Sequence, residues 1–147
     1  MFKHILVATD GSKLADKAVK TAIAMAKSGG VKVTAFYVAA EYQTPYYPEG
    51  AFYDWPPISE YKKSVGQSSE KLLAKVMKLA AEAKVTVDVG YAFSDYPHEA
   101  IINQARKIKA DLIVMASHGR RGVSALFLGS ETQKVLAHSK IPVLVVR

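Results

Sequence analysis

Short apolar runs alternate with amphipathic segments along the whole chain. The strand-like runs are rich in β-branched, aliphatic and aromatic residues and lie at 5–8, 31–39, 85–93, 111–116 and 142–146. The segments between them that repeat apolar side chains at helical spacing lie at 13–29, 58–83, 97–109 and 129–138. The order is β-α-β-α-β-α-β-α-β. Because the strands are mostly continuous apolar runs, the pattern predicts an α/β fold with an open parallel five-stranded sheet and helices on both faces.

Turn and capping residues mark several junctions between these elements. Residues 9–12 (Thr-Asp-Gly-Ser) supply turn and cap chemistry before the first helix, and Gly29-Gly30 is typical of its end. Residues 94–97 (Ser-Asp-Tyr-Pro) predict a helix start with a cap and a proline in the first turn. Residues 40–57 contain four prolines, which exclude regular structure throughout. The second helix is expected to place five residues on its apolar side: Leu72, Leu73, Val76, Met77 and Ala80.

Length and composition limit the class of protein. A chain of 147 residues suits one domain, 1–147, and half of its residues are apolar, as in globular proteins. The absence of cysteine excludes disulfides, thiolate metal sites and cysteine nucleophiles. The apolar runs are too short to span a bilayer, so no membrane association is expected. The first ten residues lead into a strand rather than a signal peptide, and we therefore expect a cytoplasmic protein.

The charge is unevenly distributed. The formal net charge is +7, which favours an anionic partner. Residues 101–147 hold eight basic and two acidic residues and so account for +6 of it. The preference for an anion therefore belongs to the C-terminal third of the chain.

Two loops carry the chemistry expected of a site. Open parallel sheets bind ligands beyond the carboxyl ends of their strands, where the strand order reverses. The loop after the first strand is residues 9–12, and the loop after the fourth reads Ala-Ser-His-Gly-Arg-Arg-Gly over residues 116–122, before Gly129-Ser130 opens a helix. Glycines, arginines and a helix N-terminus together favour a cradle for phosphate. On spacing alone the alternative stands equally: Gly119 and Gly122 as turn residues and Ser130 as a helix cap.

The segment from Ala116 to Ser130 resembles the nucleotide motif G-x-x-G-x(9)-G-[S/T] of the universal stress protein family, with Ala116 at the first glycine. The segments 5–12, 110–119 and 141–147 resemble the family's opening strand and turn, its fourth strand and loop, and its closing strand. The resemblance covers essentially the whole chain. It implies a Rossmann-like sheet, similar to that of the adenine nucleotide α-hydrolases, with strand order 3-2-1-4-5 and ATP at the switch between the first and fourth strands.

The same resemblance implies a role for particular residues. Asp10 would hold the ribose or the metal–phosphate region, with Mg²⁺ or Mn²⁺ bound through the ATP phosphates. Ala8 and Thr9 would lie near the adenosine, and the backbone of Val38 would contact the adenine edge. The loop that wraps the ribose and phosphates would consist of Ala116, Ser117, His118, Gly119, Arg120, Arg121 and Gly122. The phosphates would meet the helix start at Gly129, Ser130, Glu131 and Thr132.

Ala116 departs from the motif, which has glycine at this position. Its methyl group could crowd the nucleotide or exclude a positive φ.

His118 is interpreted as orienting its loop by hydrogen bonding rather than as an anion contact. Residues His4, His98 and His138 have no spacing that suggests a metal site. The aromatics of 42–57 are consistent with a lid, a partner-binding patch or a self-packed loop.

Four functions are compatible with these sequence features. The favoured one is an ATP-binding regulatory protein of the stress response that acts through conformation and partner contacts. The alternatives are a slow ATPase or phosphotransferase, a family member that does not bind ATP, and a nucleic-acid-binding protein. Nucleic-acid binding is disfavoured because the aromatics lie in 42–57 while the charge lies after residue 100.

Strand 142–146, bounded by proline, is expected at a sheet edge, and the resemblance implies a homodimer through it.

Overall fold

The strands and helices follow the predicted β-α order. A computed structural model describes residues 1–44, 56–119 and 128–147. The strands are β1 (His4–Ala8), β2 (Lys32–Ala39), β3 (Val87–Phe93), β4 (Leu112–Ala116) and β5 (Val143–Val146). The helices are α1 (Lys13–Gly29), α2 (Ile58–Glu82), α3 (Pro97–Lys107) and α4 (Ser130–His138). Among these helices none is both long and apolar enough to cross a membrane.

The five strands form one parallel sheet in the order β3-β2-β1-β4-β5. β1 lies in the middle and pairs with β2 on one side and with β4 on the other. Among the described strands, β5 pairs with β4 alone and is one edge of the sheet. The predicted fold class and strand order are confirmed, and so is the position of the last strand at an edge.

Alternate residues of the central strands feed two separate cores. Ile5 and Val7 of β1 face α1 and α2, which cover one side of the sheet. Leu6 and Ala8 face the other side, where α3 and α4 supply residues such as Ile102 and Val135. Successive side chains of a strand point to opposite faces, so a strand buried on both must be apolar throughout. The continuous apolar runs of the sequence have this physical cause.

Hydrogen bonds of the expected kind begin and end α1. The Ser12 hydroxyl accepts a bond from the Ala15 N–H at 3.1 Å, as a helix cap does. At the other end Gly30 has φ 63°, a left-handed conformation, and its N–H donates to the Ala26 carbonyl. The assignment of the cap to 9–12 and of the helix end to Gly29-Gly30 is correct.

The start of α3 differs from the prediction. The helix begins at Pro97, but its cap residue is Tyr96, which makes no side-chain cap hydrogen bond. Ser94 instead accepts from the Tyr96 N–H, and the Asp95 carboxylate accepts from the Glu41 N–H and from Gln43. The local cap prediction was wrong because both side chains serve the turn and the neighbouring connection rather than the helix.

The apolar side of α2 is narrower than predicted. Leu73, Val76 and Ala80 are buried, whereas Met77 is 51% exposed. α2 packs on β2 and β3, at the other edge of the sheet. A helix at an edge buries a narrow stripe, and the residue at position i+4 from Leu73 falls outside it.

The connection after β2 is closed at its base by tyrosines. The Tyr42 hydroxyl donates to the Pro56 carbonyl at 2.9 Å, and the Tyr42 ring packs edge-on against Tyr61 with centroids 5.3 Å apart. The Tyr61 hydroxyl donates to the Ala40 carbonyl at 3.0 Å. The other aromatics singled out in 42–57 lie outside the described residues.

Asp111, just before β4, ties down the start of β1. Its carboxylate accepts from the Lys3 N–H at 2.8 Å and from the His4 N–H at 3.0 Å. The bond from His4 lowers the pKa of this carboxyl, and with the bonds from Lys3 it outweighs the partial desolvation that raises it. The His4 ring lies between the Ile108 carbonyl and the Thr34 hydroxyl, at 3.0 and 2.8 Å.

Candidate functional site

The strand order places the carboxyl ends of β1 and β4 side by side. From β1 the chain passes through α1 to β2, and from β4 it passes through α4 to β5, on the opposite side. The two loops therefore diverge and leave a crevice between them, which is where open α/β sheets bind ligands. The two candidate loops of the sequence meet at this point.

The loop after β1 is held by short-range hydrogen bonds. The Thr9 N–H donates to the Phe36 carbonyl at 3.0 Å, which continues the pairing of β1 with β2 by one residue. The Thr9 hydroxyl then accepts from the Gly11 N–H, and Asp10 Oδ1 accepts from the Ser12 N–H at 2.9 Å. Gly11 has φ 74°, which a residue with a Cβ adopts only with strain. These bonds fix the Asp10 carboxylate at the end of β1.

The loop after β4 is joined to both β5 and α4. The Ser117 N–H donates to the Val146 carbonyl at 2.8 Å, and the Ser117 carbonyl accepts from the Gly129 N–H at 2.7 Å. A Cβ on residue 129 would lie 3.1 Å from the His118 Cα, tighter than nearly all such contacts. The His118 Nδ1 lies 3.2 Å from the Ser117 hydroxyl. Glycine at 129 thus lets the start of α4 approach the end of β4.

Gly119 lies directly against Asp10. A Cβ on residue 119 would lie 2.5 Å from Asp10 Oδ2, so a side chain there would displace the carboxylate or the loop. The φ of residue 119 is not in the left-handed region, so the glycine serves close approach and not backbone freedom. This contact brings together two residues that are 109 positions apart and that the sequence could only place in the same crevice.

Ala116 occupies an ordinary strand position. It is the last residue of β4, pairs with Val146 and is 8% exposed. It is absent from the non-glycine residues with positive φ, which in the described chain are Lys84 and Lys109. The backbone therefore does not require glycine at the first motif position, and the conformational objection to alanine is removed.

Val38 extends β2 past the end of β1. The Phe36 carbonyl points toward β1, where it accepts from Thr9, while the Ala39 carbonyl accepts from Ser94 on the side of β3. Peptide groups alternate sides along a strand. The N–H and C=O of Val38 consequently point to the β1 side, beyond Ala8, the last residue of that strand. A flat ring placed there would meet one donor and one acceptor.

The first turn of α4 supplies backbone N–H groups to the crevice. Gln133 makes the first bond of the helical ladder, to the Gly129 carbonyl. The amides of residues 130–132 precede it and have no partner within the helix. The Thr132 side chain faces the other way: it is 3% exposed, and its hydroxyl donates to the Ala116 carbonyl at 3.0 Å.

The Glu131 side chain is engaged by α3. Its Oε2 accepts from the His98 N–H and lies 3.0 Å from His98 Nδ1, and its Oε1 accepts from Lys134 Nζ at 2.8 Å. Partial burial acts to raise the pKa of this carboxyl, but the bonds from Lys134 and His98 outweigh it and the pKa lies below its usual range. The carboxylate thus caps the His98 amide at the start of α3, which neither Ser94 nor Asp95 caps.

Residues 1–147 match the universal stress protein family. A universal stress protein of Thermus aquaticus is 37% identical over 147 residues, and the alignment covers all of both chains. One of Methanocaldococcus jannaschii is also 37% identical and covers this whole chain and 83% of the relative. The chain belongs to the universal stress protein family.

Solved structures share the fold of this universal stress protein. The protein MJ0577 superimposes with a TM-score of 0.81 at 26% identity, over 99% of this chain and 96% of the other. A universal stress protein in complex with cAMP gives 0.73 at 23% identity, covering 99% and 97% of the two chains. One from Archaeoglobus fulgidus in complex with dAMP gives 0.70 at 18% identity, covering 99% and 98%.

Three residues predicted for the site of this universal stress protein lie outside the described residues: Arg120, Arg121 and Gly122. Within the described chain no three His, Asp or Glu side chains are grouped so as to hold a metal ion. The sequence signal for Glu131 was its place in the first helical turn, and that signal could not reveal a bond to His98, 33 residues away.

Proposed function

We propose that this universal stress protein binds an adenine nucleotide, ATP above all, in the crevice between β1 and β4. The contact of Gly119 with Asp10 beside the start of α4 is the observation that carries the proposal. This contact brings a carboxylate, a loop position without a Cβ and the unpaired amides of a helix start around one crevice. Backbone amides and a helix N-terminus suit phosphate, and a carboxylate suits ribose hydroxyls.

In this arrangement each part of the nucleotide has a partner. The adenine edge would meet the N–H and C=O of Val38, with Ala8 and Thr9 against the adenosine. Asp10 would accept from the ribose hydroxyls or face the phosphates. The phosphates would lie along residues 116–122 and at the helix start formed by Gly129, Ser130, Glu131 and Thr132, where the amides of residues 130–132 would bind them. The cAMP and dAMP held by proteins of the same fold support adenine as the base.

A divalent ion would enter with the phosphates. Mg²⁺ and Mn²⁺ take oxygen ligands and are commonly bound by one or two carboxylates together with substrate phosphates. Asp10, whose Oδ2 faces Gly119, fits such a role as a single carboxylate. The ion would neutralise phosphate charge, and the protein would hold it through the nucleotide.

The regulatory role follows from what ATP would join. The loops after β1 and β4, the end of β2 and the start of α4 would all contact one ligand, so binding would order them together. The readout would be a change in conformation and in partner contacts, including a homodimer through residues 142–146. We place this module in the cytoplasm, where ATP is abundant.

The test is nucleotide binding by calorimetry on the wild-type chain and a Gly119→Ala variant. We expect micromolar affinity for ATP. We expect a loss of at least about tenfold in the variant, because its methyl group would lie 2.5 Å from Asp10 Oδ2.

Gly90→Ala is the matched control. A Cβ there would lie 3.9 Å from the Phe36 ring, an ordinary contact, and Gly90 lies within β3, away from the crevice. Its ATP affinity should equal that of the wild type. Equal ATP affinity of Gly119→Ala and the wild type would refute the site.

A further inference from the structure

An acidic residue stands in the helical turn where the phosphates would bind. Glu131 is the second residue of α4. The N-terminus of a helix attracts anions, and a glutamate in the first turn is itself an anion that can satisfy the unpaired amides. A carboxylate turned toward these amides would therefore compete with phosphate for them.

The Glu131 carboxylate is instead drawn to the side of α3. His98 contributes two donors to Oε2, its backbone N–H and its ring Nδ1, both at 3.0 Å. Lys134 holds Oε1 at 2.8 Å. The His98 side chain is 12% exposed, whereas that of Lys134 is 49% exposed, so the histidine is the less mobile of the two partners.

The bond between His98 and Glu131 also identifies which ring nitrogen is the donor. A carboxylate accepts, so Nδ1 carries the hydrogen and donates to Glu131. Nε2 points toward Glu99, whose Oε1 is 3.9 Å away. The His98 ring therefore donates to Glu131 through Nδ1.

We infer that His98 is a positioning residue for the nucleotide site: it holds the Glu131 carboxylate against α3 and so leaves the α4 amides to phosphate. The inference rests on the proposed function. It assigns the Glu131 side chain to α3, while the Glu131 backbone N–H stays in the phosphate cradle. It also makes affinity for phosphate depend on a contact between two helices.

The test combines His98→Phe with Glu131→Gln. Phenylalanine keeps a ring against α4 but cannot donate to the carboxylate. We expect His98→Phe to bind ATP about fivefold more weakly, since a carboxylate now competes at the helix end. Adenosine, which has no phosphate, should bind all variants equally.

Rescue distinguishes positioning from a merely structural role. Glu131→Gln alone gives the reference ATP affinity of a chain that has no carboxylate at this position. In the His98→Phe chain the same substitution should restore the affinity, a non-additive result that independent defects do not give. Lys134→Met, at an exposed position, should weaken ATP binding and be rescued in the same way even if His98→Phe impairs folding.

Glu99→Gln is the control, because this carboxylate lies beside His98 but is 63% exposed and belongs to α3. Its ATP affinity should match the wild type. The inference alone would be overturned if the wild-type chain binds ATP and both His98→Phe and Lys134→Met bind it equally well. It would also be overturned if Glu131→Gln does not restore an affinity that these variants have lost. A wild-type chain that binds no ATP would overturn the proposed function and the inference with it.

Discussion

Thr132 joins the start of α4 to the end of β4 through one buried hydroxyl. Replacing it by valine keeps the shape but removes the O–H that donates to the Ala116 carbonyl at 3.0 Å. We expect Thr132→Val to lower the free energy of unfolding by about 1–2 kcal/mol, because a buried acceptor loses its partner. Urea denaturation followed by circular dichroism measures the change.

Thr21→Val serves as the comparison for this substitution. The Thr21 hydroxyl donates to the Lys17 carbonyl within α1, at the surface. Its loss should cost less than about 0.5 kcal/mol. Equal costs for the two valine variants would show that the Thr132 hydroxyl contributes nothing specific to the crevice.

The sequence predicted which residues form the crevice, but not the contacts that explain why each residue type is needed there. Gly119 was expected as a phosphate-loop glycine, but its requirement is the space taken by Asp10. Ala116 was questioned for its φ, yet it lies within β4. Both properties depend on a partner from another part of the fold, and local sequence carries no record of it.

At the scale of elements, Asp111 couples the start of β1 to β4. Because its pKa is lowered in the folded chain, the unfolded chain takes up the proton more readily. The stabilisation by this carboxylate is therefore complete above the ordinary aspartate pKa, near 3.8, and disappears as the pH falls through the lowered value. We expect Asp111→Asn to cost about 1 kcal/mol or less at pH 7.

The measurement is the difference in unfolding free energy between wild type and Asp111→Asn from pH 7 to pH 2. The difference should shrink below about pH 4. Groups present in both chains, including Glu131, cancel in this difference. A difference that stays constant with pH would show that the hydrogen bonds to Lys3 and His4 do not depend on the charge.

Elements were predicted best where their signals are local. Ser12 and Gly30 act within one turn of α1, and both the start and the end of this helix were assigned correctly. α3 was assigned the wrong cap because its acceptor, Glu131, comes from another helix. Met77 was misplaced because helical periodicity does not report that α2 covers only one edge of the sheet.

At the scale of the whole molecule, the sheet order follows from the resemblance of several segments to one family, and the periodicity gave the class of fold. The position of the crevice then follows from topology, since the switch point is a property of the order. The strand order does not determine whether two chains associate. β5 is one of the two edges of the described sheet at which a second chain could pair.

The free edge of β5 yields a prediction on assembly. The Pro142 carbonyl accepts from Ile113 of β4, and the Val146 carbonyl accepts from Ser117, the residue after β4. Because peptide groups alternate sides along a strand, those of Val143 and Val145 point outward. We expect a homodimer that pairs through this edge and that Val145→Pro dissociates, because proline removes an outward N–H while the bonds to β4 remain.

Sedimentation velocity over a range of protein concentrations measures the dissociation. An unfolding midpoint close to that of wild type should accompany the loss of the dimer, as evidence that β5 still pairs with β4. A variant that sediments as the wild-type dimer would place the interface away from this edge.

Hydrogen bonds of Tyr42 and Tyr61 close the connection after β2 at its base. Tyr42 and Pro56 are held at 2.9 Å by a bond that does not involve the residues between 44 and 56, and Tyr61 secures the same base from α2. The entropic cost of closing a loop increases only slowly with the number of residues in it. We therefore expect a reporter or affinity peptide inserted in this connection to leave the hydrogen bonds of Tyr42 and Tyr61 at its base intact.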